Sequence, residues 1–280
     1  MIEIKSLAQT DRHQIVDAIQ DAFADYVEHL EKDEIFDLLQ RRGFDEQHSF
    51  AAFDDDQIAG FTLNGVGLHE GISTAYDTAT GVLPAYRGWG LTRQIFEFSL
   101  PRLHQMGIRQ YLLQVVNPNY AVLKVYRDAG FTVKRVLNCY KHQQPQWTAP
   151  VLAVDIVEAP TTAVLQLENF HNCRPSWQSD ADSIQRAGQS LKALIAQVNG
   201  RTVGYCVFDA KKGDLSLIAV HPQHRRKGIG SALLARMYQA CTAPAVRCLN
   251  IEESCHSLHH FLLAHGFAPL CQNYEMIRKV

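Results

Sequence analysis

The 280-residue sequence predicts two tandem domains of mixed α/β class. Three observations carry that expectation: the length, an order of landmarks that occurs twice, and a connector unsuited to regular structure. Domains commonly run to roughly 100–200 residues, so the length suits one large domain or two ordinary ones. The connector, residues 142–150, is polar and holds Pro145 and Pro150. The expected boundaries are 1–143 for the first domain, 144–150 for the linker and 151–280 for the second.

The elements follow in the same order in both halves. In the first, residues 49–53 and 58–61 read as strands around the turn Asp54-Asp55-Asp56-Gln57. The alternating run 73–82 follows, then Pro84 and a glycine-rich segment that opens a helical pattern. In the second half, 191–198 and 202–208 flank Asn199-Gly200, a pair suited to a tight hairpin because both tolerate positive φ. The run 215–220, Pro222 and another glycine-rich helix start come next. Each half closes with a short strand, at 111–116 or 247–251, and a short helix ending in Gly130-Phe131 or Gly266-Phe267. Glycine there suits a helix end that needs a left-handed residue. Val82, Pro84, Arg87 and Gly90 each lie 138 positions before Val220, Pro222, Arg225 and Gly228. So long a period means two copies of a domain and not a solenoid.

Composition narrows the class. About 46 % of residues are apolar and 20 % charged, enough for packed cores and against disorder or a fibrous repeat. Lys plus Arg number 27 against 29 Asp plus Glu, a net charge of −2, so any phosphate contact must be local. A nucleic-acid protein usually shows a basic surplus, and none is present. The first residues carry no long apolar stretch, and nowhere do 18 apolar residues run together, so neither a secretory signal nor a membrane helix is expected. Seven cysteines without a C-x-x-C pair read as free thiols in a reducing cytosol. Cys206, inside an apolar run, reads as core.

Two segments carry the chemistry. The first is Val82-Leu83-Pro84-Ala85-Tyr86-Arg87-Gly88-Trp89-Gly90-Leu91-Thr92-Arg93, and the second is Val220-His221-Pro222-Gln223-His224-Arg225-Arg226-Lys227-Gly228-Ile229-Gly230-Ser231. Each sets a strand end, a proline, basic residues and glycine directly before a helix. Glycine lets an anion approach backbone N–H groups without a Cβ in the way. The unpaired amides and dipole of a first helical turn favour negative charge, and guanidinium groups can add charge-assisted bonds. An ordinary loop with solvated arginines is the plainer alternative for either copy alone, and recurrence in the same context argues against it. Neither copy contains G-x-x-x-x-G-K-[ST], so a P-loop has no support. Gly228-Ile229-Gly230 begins a dinucleotide fingerprint, with Glu252 near the place of a ribose-binding acid, but Leu233 occupies the third glycine position. That fold also places its glycines after the first strand, so a nicotinamide-dinucleotide enzyme stays a minor alternative.

These residues resemble the GNAT superfamily of acetyl-coenzyme A-dependent N-acyltransferases, in a tandem two-domain form. The family pattern [QR]-x-x-G-x-[GA] fits Arg225-Arg226-Lys227-Gly228-Ile229-Gly230 throughout. It fits Arg87-Gly88-Trp89-Gly90-Leu91-Thr92 except at Thr92. The resemblance implies a mixed, largely antiparallel sheet in each domain, splayed between its fourth and fifth strands with helices on both faces. Acetyl-coenzyme A is then expected in the opening as co-substrate, with no metal. Its pantetheine arm would lie along Thr80, Gly81 and Val82, or Ile218, Ala219 and Val220. Its pyrophosphate would sit on Arg87, Gly88, Trp89, Gly90, Leu91, Thr92 and Arg93, or on Arg225, Arg226, Lys227, Gly228, Ile229, Gly230 and Ser231. Trp89 and Thr92 crowd the first loop, so the second copy has the better coenzyme loop.

Acetyl transfer to an amine needs a proton acceptor for the ammonium, donors for the oxyanion and a proton for the departing thiolate. The resemblance assigns the last role to a tyrosine in the pattern N-x(6)-Y-x(3)-G-F, matched by Asn119, Tyr126, Gly130 and Phe131. A packing aromatic is the plain alternative for Tyr126. The second copy has Cys255 and Leu262 at the matching positions, so the first domain is expected to be catalytic and the second degenerate at that position. Several relatives use a glutamate where Gln114 stands, which cannot accept a proton; Asp77 on the fourth strand is the substitute candidate, and a water chain is another route. Asp214 begins the corresponding strand of the second half and reads as solvated.

Asp21, Asp25, Glu28, Glu31, Asp33 and Glu34, with His29 and Lys32 between them, make the first helices acidic. That is a solvated face or an acidic mouth for a cationic amine acceptor, a small molecule or peptide. His256, His259 and His260 with Cys255 crowd one helix, but H-E-x-x-H is absent and a polar helix face is the reading. No G-x-S-x-G elbow supports a serine hydrolase. Outside enzymes, the alternative is a non-catalytic sensor or scaffold that binds acyl-coenzyme A through its second half.

Overall fold

The computed structural model describes residues 1–25, 30–117, 120–143 and 154–280, the side chain of Ala121 excepted. Glu28, His29, Asn119 and the expected linker lie outside the described residues. The chain forms two compact units, Met1–Lys134 with Tyr274–Val280, and Arg135–Asn273.

Unit 1 opens with β1 (Ile2–Ser6), α1 (Arg12–Ala22) and α2 (Lys32–Arg42). Asp11 caps α1 by accepting from the His13 N–H, and Ile15, Ile19 and Ala22 fall at helical spacing on its buried stripe. β2 (Phe50–Asp54), β3 (Gln57–His69) and β4 (Ile72–Val82) continue antiparallel from β1. After α3 (Leu91–Gln105), β5 (Gln110–Asn117) pairs parallel to β4, and α4 (Tyr120–Asp128) follows. Period-two alternation serves both faces of this sheet. Phe50 and Ala52 join the core with Phe96, Tyr111 and Phe131, while Ala51 and Phe53 join the one with Ile35, Leu39 and Phe61.

The next strand, β6 (Thr132–Gln143), leaves unit 1 after Lys134. Unit 2 continues with β7 (Asp155–Ala159), α5 (Ala181–Ala187), β8 (Lys192–Val198), β9 (Arg201–Asp209) and β10 (Asp214–Val220). It closes with α6 (Ile229–Ala240), β11 (Ala245–Glu252), α7 (His256–Ala264) and the first part of β12 (Ala268–Lys279). Asn199 and Gly200 take φ of 51° and 73° in the hairpin between β8 and β9, as their side chains allow. Where unit 1 has two eleven-residue helices before its hairpin, unit 2 has single turns and the seven-residue α5.

The units exchange strands. β6 pairs antiparallel with β11 from Gln143↔Ala245 to Leu137↔Glu252, inside unit 2. The end of β12 belongs to unit 1, where it neighbours β5, buries Met276 completely and sends the Val280 N–H to the Arg109 carbonyl at 3.0 Å. The units in space therefore do not coincide with a cut at the linker. Register and burial choose a strand's partner, and order along the chain does not fix either.

The duplication extends to irregularities that no residue pattern displayed. Leu63 pairs with Ala79 but Asn64 with Asp77, which leaves Thr78 as an extra residue. Leu215 pairs with Phe208 and Leu217 with Val207, which leaves Ser216 extra at the same place, 138 positions on. Such a bulge interrupts the ladder and re-aims the side chains beside it.

One expectation is corrected. Cys173 and Cys255 form a disulfide across 82 positions with their Cα atoms 5.7 Å apart, and Cys139, Cys206, Cys241, Cys248 and Cys271 are free. The pairing is tertiary, so no local spacing announces it. Cys206 is fully buried in the core of unit 2, as read from its apolar run.

Candidate functional site

In unit 1, β4 and β5 pair only over Thr74–Tyr76 with Gln110–Leu112. Beyond that point both strands run on and part, making a fork. Asp77 is the first β4 residue past the last pair and is followed by the bulged Thr78. Its carboxylate is buried, accepting at Oδ2 from the Thr80 hydroxyl at 2.8 Å and from the Tyr126 hydroxyl at 3.3 Å. Oδ1 is buried with no hydrogen-bond partner among the described residues. Burial pushes the Asp77 carboxyl up to about 6, against the pull of the Thr80 and Tyr126 bonds and the charge of Arg42. Tyr126 on α4 is held by its ring, edge-on to Phe96 at 6.0 Å and to Phe131 at 5.8 Å. The two residues expected to do chemistry are therefore brought into contact at the fork.

The other residues expected around this fork divide by what they touch. Thr80 holds Asp77. Gly81 sits where a Cβ would meet the Phe61 ring at 2.8 Å, so packing of β4 against β3 requires glycine there. Val82 packs at the core's edge, and Leu91 is buried within it, leaving only backbone to offer. Arg87 donates to Asp25 at 2.7 Å and to the Ala22 carbonyl at 3.1 Å, fastening the loop to the end of α1. Arg93 pairs with Glu97 at 2.7 Å. Gly88 and Gly90 take φ of 83° and 71° beside open space. Gly90 precedes α3 without a side-chain cap, leaving first-turn amides to point outward beside Thr92. Trp89 is 58 % exposed against Tyr86.

Unit 2 repeats the fork, with β10 and β11 paired in parallel only at Asp214↔Arg247. A cleft of about 850 Å³ opens there, lined by Ile218, Ala219, Val220, Arg225, Arg226, Gly228, Ile229, Gly230 and Ser231 among others. Lys227 stands exposed on the same loop. Gly228, at φ 80°, precedes α6 without a side-chain cap. Arg226 adopts φ 60° where the first copy has Gly88, a conformation that costs a non-glycine residue about 1 kcal/mol or more. Arg225 donates to the Val220 carbonyl at 2.9 Å and the Phe170 carbonyl at 3.0 Å, the same fastening role as Arg87. The two equivalent arginines thus tie chain to chain, and the uncapped helix starts leave backbone amides available beside the exposed Trp89 of one loop and Arg226 and Lys227 of the other. The bulges align Asp77 with Leu215, so Asp214, one residue earlier, is not its counterpart and instead accepts from Arg247 at 2.9 Å. Leu215 and Leu262 are both buried in one core cluster.

Some features escaped sequence reasoning. Glu275, fully buried on the exchanged strand, accepts from the Gln114 amide at 3.4 Å, and Gln114 accepts from the Tyr76 hydroxyl at 3.4 Å. A carboxylate thus stands beside the glutamine that replaces the expected acid, 161 positions away. In unit 2 the Ser231 hydroxyl lies 2.8 Å from His265 Nε2, and His265 Nδ1 lies 2.7 Å from the Phe261 carbonyl. Of the acidic residues near α1 and α2, Glu31 and Glu34 form a capping box and Asp25 is engaged by Arg87. His259 is buried between the Tyr140 hydroxyl and the Glu252 carbonyl, each at 2.9 Å. Among the described residues no helix is long and apolar enough to cross a membrane.

Known proteins fit this geometry. The model of the acetyltransferase (GNAT) family matches residues 12–131, and that of the acetyltransferase (GNAT) domain matches residues 189–269. A mycothiol acetyltransferase of Streptomyces griseus is 30 % identical over 122 residues, 43 % of this chain and 39 % of the relative. One from Amycolatopsis mediterranei is 35 % identical over 98 residues, 33 % of each chain. The chain thus matches well under half the length of these curated relatives. Among solved structures, a tandem GNAT protein from the clavulanic acid biosynthesis pathway superposes with a TM-score of 0.72, at 16 % identity, over 100 % of this chain and 98 % of its own. A GCN5-related N-acetyltransferase from Sphaerobacter thermophilus gives 0.71 at 15 % identity, over 99 % and 95 %. With both units matched and more than half of its length covered between the two matches, the chain belongs to the GNAT acetyltransferase family and carries two of its domains in tandem.

Proposed function

We propose that unit 1 transfers the acetyl group of acetyl-coenzyme A to a primary amine by direct attack, without a metal or a covalent enzyme intermediate. The observation that carries this reading is the Asp77–Tyr126 contact at the fork. Both forks suit a slender nucleotide thioester. Each has an uncapped helix start for a diphosphate, and a strand edge without a partner along which an amide-bearing arm can lie.

Above about pH 6 Asp77 is a carboxylate, and its Oδ1 is the place to take a proton from the incoming ammonium. Tyr126 gives its hydroxyl proton to the departing thiolate. The proton held by Asp77 then returns to the phenolate through Oδ2, and the second amine proton leaves to solvent. The return of the proton from Asp77 to the phenolate runs toward the stronger base, so the pair is reset without another group; the two earlier transfers run against that order and are drawn forward by consumption of the amine and breakdown of the thioester adduct. The acceptor is a small-molecule or peptide amine, and a cationic one suits the acidic residues around α1 and α2. The name of the curated relatives adds mycothiol-related acceptors to those worth trying.

A second reading has its own support: Leu215 and Leu262 leave the unit 2 fork without the acid–phenol pair of unit 1, as in a binding module for acyl-coenzyme A. Thiol release from acetyl-coenzyme A across an amine panel separates the two. Amine-dependent release supports transfer. Tight binding with no release across the panel supports the sensor. Raising salt should weaken turnover of cationic acceptors alone if acidic residues recruit them. We place the enzyme in the cytosol; thiol counting on protein taken directly from cells tests this, since five reactive thiols mean the disulfide persists there and seven mean it does not.

A further inference from the structure

Ser231 occupies the first turn of α6, and His265 ends α7. Both line the unit 2 cleft. Ser176, 1 % exposed, is also among the residues lining it, and its hydroxyl oxygen is buried with no hydrogen-bond partner among the described residues.

The tautomer of neutral His265 follows from its contacts. A backbone carbonyl only accepts, so Nδ1 must carry a hydrogen to bond the Phe261 oxygen at 2.7 Å. In the neutral imidazole Nε2 is then bare, and the Ser231 hydroxyl must donate to it across 2.8 Å. The serine oxygen is left showing lone pairs toward the helix start, the wrong polarity for an anion. In the imidazolium both nitrogens donate. Nε2–H then points at the serine oxygen, and the hydroxyl hydrogen turns outward. The site changes from acceptor to donor.

Resting on the reading that unit 2 takes the coenzyme, we propose that His265 is a positioning residue that couples diphosphate binding at α6 to uptake of one proton. Neutral His265 opposes the anion through Ser231, and protonated His265 supports it. The other titratable or charged groups around His265 are His142 on β6, whose imidazole is held below its usual value by burial and by His265, and Tyr238 on α6, bonded to His142 at 2.9 Å. His260 on α7 and Arg225 and Arg226 of the loop line the same cleft. Unit 1 has Arg93 and Ala129 at the matching positions, so it lacks the device.

The test is calorimetric titration of the full chain with dephospho-coenzyme A, whose diphosphate has no group titrating between about pH 6 and 8.5, where imidazoles do. Two buffers of different ionisation heat count the protons. Wild type should take up close to one proton per ligand at the alkaline end, and affinity should fall up to tenfold per pH unit as pH rises. Ser231→Ala and His265→Gln should abolish the uptake, the second while keeping a donor beside Ser231 and therefore keeping affinity. Binding by wild type without proton uptake overturns the inference alone, as does uptake that persists in both variants. Absence of any binding change in Ser231→Ala and Gly228→Val together overturns the reading that unit 2 holds the coenzyme, and the inference with it.

Discussion

Unit 1 keeps a carboxylate and a phenol in contact at its fork, and unit 2 has a leucine at each of the two matching positions. The two positions differ together. Removing one member of a buried hydrogen-bonded pair leaves the other unsatisfied, at about 1–3 kcal/mol, whereas replacing both by apolar groups is close to neutral. A leucine at both positions therefore leaves no buried polar group unsatisfied there. Unit 1, by contrast, retains a buried acid against its desolvation cost, with one oxygen left over. The cost is tolerated where the chemistry needs it.

The comparison breaks most sharply on the exchanged strand. Deleting Tyr274–Val280 removes the segment that completes unit 1, including buried Glu275 and Met276. Loss of amine-dependent turnover and of one thermal transition is expected, with coenzyme binding by unit 2 retained. Retained turnover would show that unit 1 does not depend on that strand.

Tyr126→Phe comes next. Loss of a positioned proton donor should lower kcat by about a hundredfold or more while leaving the Kd for acetyl-coenzyme A within a factor of two. Leu262→Phe, the corresponding change in unit 2, should leave kcat alone. Equal kinetic effects from the two would erase the division of labour.

Asp77 links activity to pH and stability in opposite senses. Below about pH 6 it is protonated, so kcat/KM should fall tenfold per pH unit on that limb, and Asp77→Asn should flatten the limb at a low rate. Its folded-state value is raised above the ordinary 3.8, so the folded protein holds this proton more tightly than the unfolded chain does. That stabilisation is full below about pH 4 and is lost as pH rises through about 6, on the order of 3 kcal/mol in all. The unfolding midpoint of Asp77→Asn should therefore exceed that of wild type at pH 8, with the gap closing toward pH 4.

Two smaller tests concern what each unit uses for fastening. Cys173→Ser opens a loop of 82 positions and should destabilise unit 2 by about 4 kcal/mol in denaturant titrations without changing turnover. Asp25→Ala removes an exposed partner of Arg87 and should cost less than about 1 kcal/mol, with the cost fading in salt.

Much of this was legible in the sequence because the signals are local. The hairpin at Asn199-Gly200, the helix starts after Gly90 and Gly228, and the closing glycines at 130 and 266 depend on positive φ, which few residues tolerate. Tyr126 could be singled out by its spacing from Gly130-Phe131. Asp77 could be named but not given a partner, since its bond to Thr80 crosses a bulge that no composition reveals. Glu275, the Ser231–His265 contact and the Cys173–Cys255 bond join residues 161, 34 and 82 positions apart. Contacts of that range are set by sheet register and helix packing. Arg87 and Arg225 teach a related lesson: charge suggested a phosphate ligand, but geometry spends each guanidinium on neighbouring carbonyls.

The borrowing of Tyr274–Lys279 by the first unit also bears on biosynthesis. A ribosome makes residues 1–134 first, yet that unit stays one strand short until residues 274–280 have emerged. The pairing edge of β5 waits for its partner strand while residues 135–273 are being translated. Unit 1 is then complete only after the strands of unit 2 have been made.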